Sequence, residues 1–311
     1  MVNRLAGGRH ASLRVATRGS ALARAQADAV ATWLGTTADV RVEPVVVETA
    51  GDRRLDAQIW ELGARGVFVK EVEAAVLDGR ADFAVHSAKD LPSSDEVPEL
   101  VIAAFPRRGD PRDALVGSTL EGLPVGGLVG TGSVRRRSQL AWHRPDLTFG
   151  GLRGNIDSRL EKLAGFDAIV VAAAALRRLG RVPDRCEVLE PTTMVPQVGQ
   201  GALAVQCRAD DDATRQLLAG IDDRATRSAV ETERAWLREI GGGCDRPVGA
   251  HATIDGHGRI SLVAVLATGD GRIVLRHSDS GSDPTELGRR SARFLLDRAG
   301  GATLIEELAP A

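Results

Sequence analysis

The sequence predicts an α/β protein of three domains, the first two with mainly parallel sheets and the third α+β, with a small antiparallel sheet covered by helices. Three observations carry this. Strand-like and helix-like patterns alternate from residue 12 to about residue 208. Beyond residue 225 the strand patterns are instead joined by the short turns DGHG and TGDG, which are hairpin signals. The length of 311 residues exceeds what one hydrophobic core usually serves. Hydrophobic residues make up 43%, enough for cores, but aromatics are only 3% and Tyr is absent. Those cores must therefore be built from Ala, Val, Leu and Ile.

The elements follow in order. SLRVAT at 12–17 alternates and reads as a strand. Ser20 is a good N-cap for a helix whose apolar stripe is expected at Leu22, Ala25, Ala29, Val30 and Trp33. VRVEPVVVE at 40–48 is a strand, and Pro44 marks it as an edge or a bulge. Residues 49–66 lack periodicity and read as a long loop of functional interest. A helix over 68–79 stops at Gly79, and DFAVH at 82–86 is a short strand. PRRGDPR at 106–112 is a turn-rich hinge.

A second α/β pattern follows. LVG at 128–130 ends a strand, TGS leads into a helix from Val134, and Pro145 stops it. LTFG at 147–150 is a strand, 155–165 a helix, and 167–176 a buried strand entering a helix. Residues 191–208 read as a return crossing. A charged helix at 224–239, strands at 248–254, 259–266 and 272–277, and a covering helix at 291–299 complete the chain.

Composition narrows the function classes. Net charge is −2, so the whole chain is not a binder of polyanions, and the scarcity of aromatics argues against stacking on nucleic acid. Lysine occurs only at Lys70, Lys89 and Lys162; nearly all positive charge is arginine, with a run at Arg135, Arg136 and Arg137. Cys186, Cys207 and Cys244 have no zinc spacing and form no disulfide framework, and no metal is expected. No segment reaches the roughly 18 apolar residues of a membrane span. Residues 1–10 lack the apolar stretch of an export signal, so a cytoplasmic setting is expected.

Ligands of open α/β sheets sit beyond the carboxyl ends of strands. Four polar clusters fall there: Thr17–Ser20, His86–Asp90, Thr131–Ser133 and Arg153–Asn155. With Arg18, Lys89, Arg135, Arg136 and Arg153 they suit carboxylates, which arginine grips with two parallel hydrogen bonds. Phosphate fits less well, because neither GxxxxGK[ST] nor GxGxxG is present. Asp90 is the best candidate for charge chemistry, and it should stay ionised among arginines. Cys244 follows three glycines and reads as an accessible thiol, either a nucleophile or a covalent anchor. His86 reads as a hydrogen-bonded structural residue. From residues alone, the arginines give an organic-anion site and Cys244 an accessible thiol, so an enzyme and an organic-anion binder without chemistry both stay open.

The motifs resolve into a family pattern. ATRGS at 16–20, GVFVKEVE at 66–73, ADFAVHSAKDLP at 81–92, DPRDALV at 110–116, GTGSVRRRSQL at 130–140, LRGNIDSRL at 152–160, PQVGQGALAVQCR at 196–208 and GGGCDRPVGA at 241–250 resemble the porphobilinogen deaminases (hydroxymethylbilane synthases) in order and spacing. The resemblance implies two lobes like type II periplasmic binding proteins, with the chain crossing between them twice. The first domain would comprise 1–106 and 202–222, the second 107–201, and the third 223–311 with the cofactor-attachment loop. It implies a dipyrromethane cofactor joined by a thioether to Cys244. It implies stepwise head-to-tail condensation of four porphobilinogen molecules, with loss of ammonia each time and release of hydroxymethylbilane. Asp90, Lys89 and Arg18 would be catalytic, with Asp90 meeting pyrrole N–H groups and the cation left as ammonia departs. Lys89, Asp90, Thr131, Ser133, Arg135, Arg136, Arg153 and Gly154 would hold the cofactor. Arg18, Ser20, Phe68, Arg153, Arg159 and Arg178 would hold substrate. The loop at 49–66 would form a lid, with Arg53, Arg54 and Arg65 where several relatives carry lysines. A cytoplasmic monomer with no nucleic-acid or membrane partner is implied.

Overall fold

Leu13 and Val15 in β1 (Ala11–Arg18) pack with Val30 and Leu34 on one face of a sheet, while Ala16 packs with Val72 and Ala75 on the other. A strand covered on both faces belongs inside a layered α/β structure. The structure is a computed structural model and describes residues 11–49, 69–93, 97–241 and 246–307. The chain divides into two units, Met1–Arg108 with Ala202–Arg227 and Gly109–Gly201 with Ser228–Ala311.

In the first unit, β1 lies between β2 (Val40–Val47) and β3 (Phe83–Ser87) and runs parallel to both. β4 (Leu100–Ala104) and β10 (Leu203–Arg208) complete the order β2-β1-β3-β10-β4. β10 is antiparallel to both its neighbours, so four strands point one way and one against them. Pro44 sits on the edge strand, where its missing N–H costs no ladder bond.

Helix α1 (Ala21–Ala38) is capped by Ser20, whose Oγ accepts from the Ala23 N–H at 3.2 Å. Its buried residues are Gln26, Ala27, Val30 and Leu34, which corrects the expected stripe; only Val30 is shared. An alanine-rich helix offers little contrast between faces, so packing on β1 and β2 decided which face turned inward. Helix α2 (Lys70–Leu77) starts two residues later than expected among the described residues and ends before Gly79, at φ 70°. Residues 50–68, with Phe68, Arg53, Arg54 and Arg65, lie outside the described residues. Helix α6 (Asp212–Ala219) also belongs to this unit.

The second unit repeats the plan. β5 (Asp113–Val116), β6 (Leu128–Gly130), β7 (Thr148–Gly150), β8 (Ala168–Ala172) and β9 (Cys186–Leu189) form the order β7-β6-β8-β5-β9. β6 is parallel to β7 and β8, and β5 is antiparallel to β8 and β9. In each sheet the reversed strand is the first one after a crossing, β5 on the way out and β10 on the way back. Helices α3 (Val134–His143), α4 (Ile156–Glu161) and α5 (Ala173–Arg178) connect the strands. Cys186 is exposed on the edge strand and Cys207 is buried in β10.

The same unit holds a second sheet, β11 (Val248–Ile254), β12 (Ile260–Ala267) and β13 (Val274–Gly281), paired antiparallel in sequence order. Trp236 from helix α7 (Arg224–Ile240) fills its core with Leu262, Leu266 and Leu295. The third strand runs four residues beyond the expected 277. The covering helix begins earlier than 291: α8 spans Pro284–Arg293, with Asp283 accepting from the Glu286 N–H at 2.7 Å. An aspartate cap followed by Pro at N1 is a helix start that the apolar run at 291 obscured. A π turn at Phe294–Arg298 and α9 (Gly301–Glu307) follow. No helix among the described residues is long and apolar enough to cross a membrane.

Candidate active site

In the first unit, β1 and β3 are parallel neighbours, so Arg18, Ser20, Lys89 and Asp90 gather at one carboxyl edge of the sheet. Asp90 lies in a 3₁₀ turn, Ala88–Asp90, entered through a hydrogen bond from the Ala88 N–H to the Ala202 carbonyl at 3.0 Å. Two side-chain links hold the end of β3. On one face Gln26 donates to Ser87 Oγ at 2.9 Å. On the other, His86 Nε2 lies 3.0 Å from Gln206 Oε1, and Gln206 donates to Glu73 at 3.0 Å. Burial pushes the His86 pKa down to about 4, against the raising effect of Gln206, and so keeps the ring neutral. Burial pushes the Glu73 carboxyl up. Asp90 has no hydrogen-bond or ion-pair partner among the described residues.

In the second unit the carboxyl ends of β7, β6 and β8 share one edge, and the antiparallel β5 begins there: Asp113 pairs with Ala172. Asp113 is fully buried and lies 2.8 Å from both the Arg135 and the Arg136 guanidinium. Arg135 also donates to the Val195 carbonyl at 2.7 Å, and Arg136 to the Val170 carbonyl at 2.9 Å. Gln200 adds a donor to Asp113 at 3.0 Å. Burial alone would raise the Asp113 carboxyl; the two guanidiniums outweigh it and hold it well below the usual carboxylate range. Arg135 is 3% exposed and Arg136 6% exposed. Sequence reading offered both to ligand carboxylates; the structure gives them Asp113 as a resident counterion. Two cations on one anion leave one positive charge, and Arg135 Nε is buried without a hydrogen-bond partner. Arg137, third in the run, leaves this cluster and donates to the Gly269 carbonyl at 3.0 Å.

The rest of that edge is built from turns. Ser133 Oγ caps α3, and the Ser133 N–H donates to Thr131 Oγ1 at 3.1 Å. Gly154 has φ 109°, and its carbonyl accepts from Arg159 Nε at 2.8 Å. Arg178 donates to the Gly201 carbonyl at 2.6 Å and has no carboxylate partner among the described residues. Its desolvation lowers its pKa to about 10. Cys244 lies outside the described residues, in 242–245. Asp113 and Gln200 were missed as site residues. The signal was there for Asp113: an acid opening a strand whose four residues are all buried needs a buried partner.

Comparison with known proteins decides between the open readings. Residues 13–216 match the family description "Porphobilinogen deaminase, dipyromethane cofactor binding domain", and residues 228–297 match "Porphobilinogen deaminase, C-terminal domain". The chain belongs to the porphobilinogen deaminase family. A porphobilinogen deaminase of Acidothermus cellulolyticus is 48% identical over 94% of this chain and 91% of its own. That of Brevibacillus brevis is 44% identical over 95% of this chain and 97% of its own. Among solved structures, a methionine-bound nutrient binding protein from Burkholderia cenocepacia has a TM-score of 0.43 and 12% identity, covering 66% of this chain and 89% of its own.

As a porphobilinogen deaminase, the chain is an enzyme of tetrapyrrole synthesis that works with a dipyrromethane cofactor. The donor set fits that group. A dipyrromethane made of two porphobilinogen units bears several carboxylates and two pyrrole N–H groups. Within the second unit, Arg178 is a desolvated guanidinium without a carboxylate among the described residues, and Arg135 has a spare buried N–H.

Proposed function

We propose that the arginines of the second unit hold the carboxylates of cofactor and substrate, and that Cys244 is the thioether anchor of the cofactor. Arg178 carries this reading. Keeping an arginine desolvated without a counterion is costly unless a ligand anion completes it. On this reading Arg178 and Arg159 take substrate carboxylates, Arg153 serves both ligands, and Thr131, Ser133, Arg135, Arg136 and Gly154 hold the cofactor.

The dipyrromethane, when bound, supplies the primer on which porphobilinogen units are joined. The chain's own residues do the rest. Arg18, Ser20 and Lys89 orient an incoming anion. Asp90 accepts hydrogen bonds from pyrrole N–H groups and stabilises the cation left when ammonia leaves the substrate. The absence of another partner on the Asp90 carboxylate among the described residues supports that role. Phe68 and residues 49–66 complete the reading as a lid. The enzyme acts as a cytoplasmic monomer, without nucleic-acid or membrane partners.

Intact-mass measurement tests the anchor. The purified protein should carry an adduct of two pyrrole units, and Cys244→Ser should lack it. An active protein of unmodified mass would sink the assignment. Consumption of porphobilinogen with release of ammonia separates this reading from a binding module.

A further inference from the structure

Gly249 is the second residue of a regular antiparallel ladder, opposite Val265, five residues after Cys244. Its φ lies outside the left-handed region, so no left-handed conformation calls for glycine. Glycine inside a strand weakens it and often marks a close approach of another backbone. That approach is present. A Cβ on Gly249 would lie 2.7 Å from the Pro196 carbonyl oxygen, 2.9 Å from that of Val195 and 3.1 Å from Arg135 Cδ.

These neighbours are themselves held. The Val195 carbonyl accepts from Arg135 at 2.7 Å and from Gln139 at 3.1 Å, and the Val195 N–H donates to Gln139 at 2.8 Å. Arg135 is bound on its far end by Asp113. The β11 backbone therefore forms one wall of the slot that the Arg135 stem occupies, and the Asp113 carboxylate forms its end.

We propose that Gly249 is a positioning residue for the cofactor site. Lacking a side chain, it lets the strand that follows the cofactor-bearing cysteine close on Arg135 and fixes where that guanidinium stands. This rests on the assignment of Cys244 and Arg135 to the cofactor. An added methyl meets the Pro196 and Val195 carbonyls first and the Arg135 stem next; as the Val195 carbonyl or the stem gives way, the guanidinium leaves Val195 or Asp113.

The experiment is a double-variant cycle with Gly249→Ala and Arg135→Ala, read by intact mass, thermal melting and steady-state kinetics. Gly249→Ala should lower the fraction of protein carrying the two-ring adduct several-fold. The remaining adduct-bearing molecules should show an unchanged KM and a lower kcat. In the Arg135→Ala background, adding Gly249→Ala should leave the adduct fraction where Arg135→Ala alone put it and cost less in melting temperature. If Gly249→Ala alone is insoluble, solubility regained in the Arg135→Ala background supports the proposal. Insolubility in both backgrounds overturns it, since the glycine then serves only the backbone of 195–196. A wild-type adduct fraction in Gly249→Ala, or additive effects of the two substitutions, overturns it too. Failure of the underlying assignment looks different: wild-type protein would carry no adduct, or Cys244→Ser would retain one.

Discussion

The Asp113 carboxylate lies 2.8 Å from the Arg135 guanidinium in a place closed to solvent, and Arg136 shares the same carboxylate. One buried anion thus organises two cations from consecutive positions of α3. A helix does not ordinarily turn neighbouring side chains to one point; the length of arginine permits it. The net charge of the cluster remains positive, which suits a site for carboxylates.

Removing the shared anion should be costly. Asp113→Asn leaves two buried guanidiniums without a counterion, and breaking such a cluster costs about 3–5 kcal/mol. Urea denaturation of the variant should show that loss, with less cofactor on the purified protein. A midpoint equal to wild type would contradict the cluster's structural role.

Arg178 should behave in the opposite way. Its desolvation is not offset by a carboxylate among the described residues, so Arg178→Met should leave the melting temperature unchanged or raise it. Substrate affinity should fall, because a charge-assisted hydrogen bond contributes about 1.5–3 kcal/mol. That corresponds to a KM roughly 10- to 100-fold higher. Steady-state kinetics beside a melting curve separates the two effects; equal losses of both would refute the prediction.

Asp90→Ala should retain stability to within about 0.5 kcal/mol, as for a side chain without partners among the described residues. Turnover should drop at least about 100-fold, the scale for losing one preorganised electrostatic contact. Ammonia release under saturating porphobilinogen measures it.

His86 sets a pH dependence. Its folded-state pKa of about 4 lies below its ordinary 6.5, so the native state favours the neutral ring. The unfolded chain binds the proton first as pH falls. Stability should be full above pH 6.5 and decline between 6.5 and 4, by about 3 kcal/mol at most. Melting curves of wild type and His86→Gln across that window should converge at acid pH. Parallel curves would mean that the ring titrates normally.

Much of the first unit was legible in the sequence because its signals are local. Ser20 as a cap and Pro44 on an edge are statements about one backbone segment and its immediate neighbours. The DGHG and TGDG turns likewise announced the antiparallel sheet. The stripe on α1 was misread because burial there depends on which face meets β1, and alanines carry too little contrast to say so. The start of α8 at Pro284 was overlooked because the later apolar run was the stronger pattern.

The sequence by itself determined the alternation of elements, the reversal to hairpins after residue 225, and, through its ordered motifs, membership of a deaminase family. Only the tertiary structure decided how the arginines are used. Asp113 and Arg135 are 22 positions apart and meet because β5 runs antiparallel to β8, which brings its first residue to the carboxyl edge. Gly249 reaches Arg135 across more than a hundred residues for a similar reason: backbone approach is set by how layers pack. Periodicity records which residues are buried, but it does not record which buried charge has a counterion. That difference separates Arg135, held inside by Asp113, from Arg178, which has no carboxylate partner among the described residues.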